Sequence, residues 1–311
     1  MKKIFFVNPP TPEKGVMVIR DLDRSGRKTR EKTIWPQTSL AYLAAVMKNE
    51  NYEVKIIDCI AEKIYWDEFE KIINTEKPDY ILFNAVSSTI TNDMKTAEIA
   101  KKNGAISIAV GSHVTALPEQ TLKDFASLDF IIMGEAEETL AELIKNLEMQ
   151  AVPSGVLGIV WRKEGSVAVN GKRPLIKDLD SLPIPLHELL PIRKYNLPFI
   201  GSRFTFVTAS RGCPFRCIFC RSPIAWNRIF RVRSSDSILA ELKYLKNIKV
   251  KNVLFHSDTF TINKSMVIDI CKKMIDARLN IRWMCNSRVD TVDKEMLFWM
   301  KKAGCEMIMY G

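Results

Sequence analysis

Cys213, Cys217 and Cys220 lie within eight residues of one another in Ser210-Arg-Gly-Cys-Pro-Phe-Arg-Cys-Ile-Phe-Cys-Arg221, spaced four and three apart. Thiolates crowded in this way suit metal ligation. A closed tetrahedral zinc site wants a fourth ligand, and the other thiols, Cys59, Cys271, Cys285 and Cys305, are isolated, with no second C-x-x-C pair. A redox pair of Cys217 and Cys220 leaves Cys213 without a role and calls for a thioredoxin-like setting that the flanking residues do not resemble. A [4Fe–4S] cluster usually takes four thiolates. Three would leave one iron open to a small molecule, and an open position is what separates catalytic metal sites from structural ones.

The 311 residues, 47% hydrophobic, can bury a sizeable core and predict two domains. No apolar run reaches 18 residues, and MKKIFFVNPP is too short in its apolar part for a signal peptide or a span. A cytoplasmic location without membrane contact is the expectation, and seven cysteines without a paired framework suit a reducing compartment. The net charge of +10 is diffuse. Its one dense run, Arg20 to Lys32, is interrupted by acids and carries no aromatic residue on which bases could stack. It reads as a solvated or anion-contacting loop, and nucleic acid is not expected as a partner.

Apolar strands alternating with helical patterns predict an open parallel α/β domain over residues 1–150, Rossmann-like in layout. Strands are expected at Lys3–Asn8, Val54–Asp58, Tyr80–Ala85, Ile106–Val110 and Phe130–Met133, with helices at Leu40–Lys48, Trp66–Asn74, Asn92–Lys102, Pro118–Phe125 and Thr139–Leu147. Ligands of such sheets sit beyond the carboxyl ends of the strands. The loops there contain Asn8 and Pro9, Asp58 and Cys59, Ser87, Ser88 and Thr89, Gly111, Ser112, His113 and Thr115, and Gly134 and Glu135. The first strand runs into proline, not G-x-G-x-x-G, which argues against a dinucleotide. Small polar residues and glycines suit a large flat ligand approaching the backbone, or ordinary turns.

Residues 151–200 predict a proline-rich linker with a small hairpin around Lys163-Glu164-Gly165. Alternation resumes in residues 201–311, with strands at Phe204–Ala209, Asn252–His256, Ile281–Cys285 and Cys305–Tyr310 and helices at Ser235–Lys246, Lys264–Asp276 and Asp293–Ala303. That is the first part of a β/α barrel, whose reactive groups gather on the loops after strands. The cysteines lie in the first such loop. The chain stops directly after the fourth strand, so the barrel is expected to be truncated there.

A C-x3-C-x2-C loop in this position resembles the radical S-adenosylmethionine (SAM) enzymes. The resemblance implies that Cys213, Cys217 and Cys220 hold the [4Fe–4S] cluster while SAM chelates the open iron and is cleaved to a 5′-deoxyadenosyl radical. Phe219, Asp258 and Arg288 would lie at the SAM site. Val110-Gly-Ser-His-Val-Thr-Ala-Leu-Pro-Glu119, Gly134-Glu-Ala-Glu137, Lys177-Asp-Leu-Asp-Ser-Leu-Pro183, Leu254-Phe-His-Ser-Asp-Thr-Phe-Thr261, Trp283-Met-Cys-Asn-Ser-Arg-Val-Asp290 and Lys302-Ala-Gly-Cys305 look like the cobalamin-binding branch of that superfamily. By this similarity the crevice ligand is cobalamin, cradled by Asn8, Pro9, Ser87, Ser88, Thr89, Gly111, Ser112, His113, Thr115, Gly134 and Glu135.

One departure stands out. Where methionine synthase-like domains have D-x-H-x-x-G, with a cobalt-ligating histidine, this chain has Asp58-Cys59-Ile60-Ala61-Glu62-Lys63, and Ile60 cannot ligate. The implied activity is methyl transfer to a carbon of a small-molecule substrate, with a flavodoxin or ferredoxin as electron donor. Cyclisation or rearrangement with the same cofactors is an alternative, and so is a cofactor-binding chain without turnover. The tRNA-modifying methylthiotransferases carry further cluster cysteines in their N-terminal domain, where this chain has only Cys59.

Overall fold

The computed structural model describes residues 1–15, 17–20, 27–29, 33–197, 201–220 and 222–311. Five strands, β1 (Lys3–Asn8), β2 (Glu53–Asp58), β3 (Tyr80–Asn84), β4 (Ile106–Val110) and β5 (Phe130–Ile132), form a parallel sheet in the order β2-β1-β3-β4-β5. The sheet faces are covered on both sides, as continuously apolar strands require. All five residues of β3 are buried. Helices α1 (Thr38–Asn49), α2 (Trp66–Glu76), α3 (Lys95–Lys102), α4 (Pro118–Asp124) and α5 (Glu137–Glu148) connect or follow the strands. The predicted helix over Asn92–Lys102 is broken: a short turn at Ile90–Asp93 precedes α3, and Asp93 there is fully buried.

A hairpin, β6 (Ile159–Lys163) and β7 (Ser166–Val169), adds antiparallel to β5. It extends the sheet to seven strands. In this order, β2 and β3 lie on opposite sides of β1, which creates a switch point and a crevice beyond the carboxyl ends of β1 and β3.

The second unit is a four-stranded, fully parallel sheet in the order β8-β11-β12-β13: β8 (Phe204–Val207), β11 (Asn252–Phe255), β12 (Arg282–Ser287) and β13 (Cys305–Tyr310). Between the first two lies a small ribbon, β9 (Ser210–Arg211) paired with β10 (Arg231–Val232). Helices α6 (Ser235–Asn247), α7 (Lys264–Asp276) and α8 (Lys294–Lys302) cross between strands. Each starts on a side-chain cap, in which Ser234, Asn263 and Asp293 accept the N–H of Ser237, Met266 and Met296 at 3.1, 3.0 and 2.9 Å. Such caps satisfy backbone donors that the first helical turn leaves unpaired.

The two units share one apolar core. Phe6 and Leu40 of the first belong to the same buried cluster as Tyr195, Phe206, Leu254 and Met284. Polar ties cross the same boundary. The buried Arg233 guanidinium donates to the Tyr42 hydroxyl at 3.2 Å and pairs with the carboxylate of Glu241, which also bonds the His187 ring at 2.9 Å.

Arg20 departs from the solvated loop expected of the Arg20–Lys32 run. It is 1% exposed and lies across the end of β1, donating to Asp93 Oδ1 at 2.6 Å, the Pro9 carbonyl at 2.8 Å and Asn8 Oδ1 at 3.1 Å. Its charge lies under the chain because Asp93, also fully buried, needs a counter-ion there. Residues 21–26 and 30–32 of the run lie outside the described residues.

Removing one member of a buried ion pair strands the other. Arg20→Ala is therefore expected to destabilise the fold by about 3–5 kcal/mol, read as a lowered denaturant midpoint.

Acidification should act at the unit boundary. Burial works against ionisation of Glu137 and Glu241, but Arg211 and Arg233 respectively outweigh it and hold both carboxyls below the usual range. Their contribution is fully present above the ordinary glutamate value of about 4.3 and is lost as pH falls through the depressed folded values. Thermal melts in that acid window should show the loss, and Glu137→Gln should lower stability at neutral pH and flatten the dependence.

Candidate active site at the cysteine loop

The cysteine loop leaves the β8 end through β9. Gly212 opens it at φ +84°, where a β-carbon would stand 2.1 Å from the Ile229 carbonyl oxygen, so no other residue fits there. The loop is held by the Arg228 guanidinium, which donates to the Phe215 carbonyl, and by a turn in which Cys220 N–H donates to the Cys217 carbonyl at 3.2 Å. None of the seven cysteines is in a disulfide; Cys213 and Cys217 are half-buried and Cys220 is exposed.

Each loop sulfur has a polar neighbour from a different place. Thr259, after β11, brings its hydroxyl to 3.6 Å from Cys213 Sγ; Arg288, after β12, donates to Cys217 Sγ at 3.4 Å; and the Ser222 N–H donates to Cys220 Sγ at 3.4 Å. These contacts fix where each sulfur stands.

Among the described residues no three Cys, His, Asp or Glu side chains gather closely enough to hold a single metal ion. A tetrahedral zinc with bonds near 2.3 Å would draw its sulfurs to about 3.8 Å from one another. A four-iron cluster takes each thiolate on a different iron and so spaces the sulfurs more widely. Three free, hydrogen-bonded thiols in one loop suit an iron–sulfur cluster that takes each on its own iron.

The residues expected beside SAM fall around this loop. Arg288 stacks on Phe215 with its guanidinium carbon 3.9 Å from the ring centroid and is paired with Asp290 at 2.8 Å. Its pKa is raised, chiefly by that hydrogen-bonded carboxylate. Asp258 accepts the Ser222 hydroxyl at 2.8 Å, next to Cys220. Phe219 is 84% exposed, its ring free of packing.

On the crevice side the expected corrin contacts divide. Gly111 has φ +119°, and a β-carbon there would meet the Ala85 carbonyl oxygen at 2.6 Å, so the loops after β3 and β4 lie backbone to backbone. Ser87 Oγ bonds His113 Nδ1 at 3.0 Å, and burial lowers the His113 pKa. Thr115 Oγ1 accepts the Gly134 N–H at 3.2 Å and donates to the Gly111 carbonyl at 2.8 Å. Ser88 is exposed, and the Ser112 hydroxyl is buried without a partner in the protein.

Three others are committed internally. Asn8 bonds Asp58 at 2.7 Å and Arg20, Pro9 gives its carbonyl to Arg20, and Thr89 donates to Asp93 at 2.9 Å. At the position of the missing cobalt-ligating histidine, buried Ile60 sits in a short helix capped by Asp58, which accepts the Ala61 N–H at 3.2 Å. Lys63, where the family pattern has glycine, keeps a left-handed φ of +59°. The turn survives although the ligand does not.

Glu135 corrects the sequence expectation. Its carboxylate is 3% exposed and is taken by Arg211 at 2.8 Å, Arg231 at 2.7 Å and the Ile176 N–H at 2.8 Å. Glu137 accepts a second donor of Arg211 at 2.5 Å, and both guanidiniums lie over Trp226, with Arg211 also over Tyr42. This ionic junction joins the first unit to the strand that presents the cysteines. Sequence reasoning missed Arg211, Arg231, Tyr42 and Trp226. The available signal was charge complementarity between Gly-Glu-Ala-Glu137 and Ser-Arg-Gly-Cys213.

Residues 29–144 match the family model of the B12 binding domain, and residues 207–311 match that of the Radical SAM superfamily. The chain thus carries a B12 binding domain followed by a domain of the Radical SAM superfamily. It is 35% identical over 312 residues to an uncharacterized methyltransferase of Pyrococcus horikoshii, covering 99% of this chain and 65% of that protein. It is 28% identical to the anaerobic magnesium-protoporphyrin IX monomethyl ester cyclase of Cereibacter sphaeroides, over 89% of this chain and 47% of that one. Among solved structures, the cobalamin-dependent SAM radical enzyme OxsB, with aqua-cobalamin and SAM bound, superposes with a TM-score of 0.78 at 21% identity, over all of this chain and 44% of that one. The chain thus spans about half to two thirds of the length of these curated relatives.

Gly212→Ala is expected to abolish cluster incorporation, since the added carbon meets a backbone carbonyl and not a side chain that could move. Iron and labile sulfide content after anaerobic reconstitution would register the loss.

Proposed function

We propose that this chain carries the cofactor-binding part of a cobalamin-dependent radical SAM methyltransferase acting on a carbon centre of a small molecule. The observation that carries this reading is the cysteine loop itself: three free thiols, each with a polar neighbour, at the end of the first strand of a parallel sheet that is bolted to a B12-binding domain. Cys213, Cys217 and Cys220 would hold a [4Fe–4S] cluster. Phe219, Asp258 and Arg288 would line the SAM side, with Arg288 paired to Asp290 and seated on Phe215. Ser87, Ser88, Gly111, Ser112, His113, Thr115 and Gly134 would border the corrin, and the two glycines keep bulk away from it. Together these cofactors supply radical formation and a transferable methyl group. With Ile60 in the helix after β2, the chain offers no side-chain ligand to cobalt at that position.

A second reading is favoured by the likeness to the cyclase of Cereibacter sphaeroides: cyclisation with the same cofactors. Under either reading the four-stranded sheet is the first part of a β/α barrel. The units divide near 1–150 and 201–311, with residues 151–200 spanning the boundary and lending the hairpin to the first sheet. A flavodoxin or ferredoxin would deliver the electron, in the cytoplasm. Among the described residues no helix is long and apolar enough to cross a membrane.

The test is anaerobic reconstitution with iron, sulfide and hydroxocobalamin, followed by SAM turnover. A bound corrin spectrum, about four irons per chain, and loss of the iron in each of Cys213→Ala, Cys217→Ala and Cys220→Ala are expected. S-adenosylhomocysteine among the products supports methyl transfer, and 5′-deoxyadenosine alone supports the second reading. A wild-type chain that binds neither iron nor corrin removes both.

A further inference from the structure

Of the three loop sulfurs, Cys217 alone has a charged donor beside it among the described residues. Arg288 Nη1 stands 3.4 Å away, whereas Cys213 meets the Thr259 hydroxyl and Cys220 a backbone N–H. The Arg288 side chain is 32% exposed, and a long side chain in water keeps one rotamer only when something holds it. Here it is held in three ways. Asp290 accepts from Nε at 2.9 Å and from Nη2 at 2.8 Å along one edge of the guanidinium, which leaves Nη1 for sulfur. Phe215 of the cysteine loop lies against the flat face. The main chain is fixed as well, because the Ser287 and Thr291 hydroxyls donate to the Arg288 carbonyl at 3.1 and 2.9 Å.

The Thr261 hydroxyl bonds both of these hydroxyls and completes a cluster of three. Its members come from two strand-end loops. Thr261 lies in the turn Phe260–Ile262 after β11, Ser287 ends β12, and Thr291 closes the turn Val289–Thr291 that follows. Thr261 and Ser287 are 1% and 4% exposed. Apolar side chains of the same shape would fill that space at little cost, so packing alone does not call for linked hydroxyls. What the cluster adds is direction: it ties the loop that brings Thr259 to Cys213 to the loop that brings Arg288 to Cys217.

We propose that Thr261, Ser287 and Thr291 are positioning residues that hold Arg288 against Cys217, and that this N–H to sulfur contact raises the reduction potential of the cluster. The proposal rests on the functional reading above for the cluster itself. Reduction adds one electron to the cluster and its thiolates. A charged donor aimed at a ligating sulfur stabilises the reduced form more than the oxidised one, which makes the electron easier to accept. The contact works only while the guanidinium stays in place, and groups behind a metal ligand commonly serve that end.

The test is the midpoint of the one-electron reduction, without SAM, in the full chain reconstituted anaerobically with iron and sulfide. Titanium(III) citrate supplies the electron, and electron paramagnetic resonance follows the reduced cluster. Iron content and circular dichroism accompany each protein. Arg288→Gln should keep its iron and shift the equilibrium toward the oxidised cluster by about tenfold, a midpoint lower by about 59 mV. Thr261→Val should lower the midpoint in the same direction, while Thr261→Ser, which keeps the hydroxyl, should hold the wild-type value. In the Arg288→Gln background Thr261→Val should add nothing, because the hydroxyls act through the guanidinium.

An unchanged midpoint in Arg288→Gln overturns the proposal, and so does loss of its iron, which would make the contact a structural one. A folded Thr261→Val with the wild-type midpoint, or one whose shift adds in full to that of Arg288→Gln, removes the positioning role. If Thr261→Val fails to fold, Thr291→Val takes its place under the same expectations. A wild-type chain without iron overturns the functional reading and this proposal together, whereas a cluster whose midpoint ignores these substitutions overturns this proposal alone.

Discussion

Two guanidiniums and two carboxylates, Arg211, Arg231, Glu135 and Glu137, are buried together where the first unit meets the strand that delivers the cysteines. Charges out of water persist only when paired and hydrogen-bonded, and these are paired across the boundary. The Glu135–Glu137 segment follows β5, Arg211 belongs to the strand just before Gly212, and Arg231 belongs to its ribbon partner. Losing Arg211 strands Glu137, and losing Glu135 strands Arg231. The cysteine loop is thereby fixed relative to the crevice of the first unit, which a reaction using ligands of both units would require.

Backbone constraints finish the same task at shorter range. Gly212 and Gly111 each hold a left-handed φ against a carbonyl of a neighbouring segment, one at the entry of the cysteine loop and the other at the end of β4. Both are contacts of main chain with main chain, which cannot yield as a side chain would. Around them the loop sulfurs take polar neighbours from the ends of two further strands and from the helix that follows. Strand-end loops of a parallel sheet converge in this way because all the strands point in one direction.

Packing separates the loop cysteines from those of the core. Cys271, Cys285 and Cys305 lie in the core of the second unit, and burial drives the Cys271 thiol up to about 12. They behave as small apolar side chains. The loop cysteines reach solvent, and a cation stands beside Cys217. Residue type is the same in both groups, and only the surroundings differ.

Much of this was legible in the sequence. The strand and helix periods, the spacing of Cys213, Cys217 and Cys220, and the absence of a histidine at Ile60 are local properties, carried by hydrophobic repeat and residue identity within a few positions. The hydrogen-bond partners of Asn8 and Glu135 are not local. Both stand at or just beyond strand ends, where a ligand contact was a fair expectation, yet Asn8 is claimed by Arg20 and Asp58, and Glu135 by arginines 76 and 96 residues away. Arg20 likewise looked solvated because its counter-ion Asp93 is 73 residues distant. The sequence by itself determined which elements form and which side chains could hold a metal. The tertiary structure alone decided which charges are buried together, because an ion pair between distant segments leaves no period or spacing in either one.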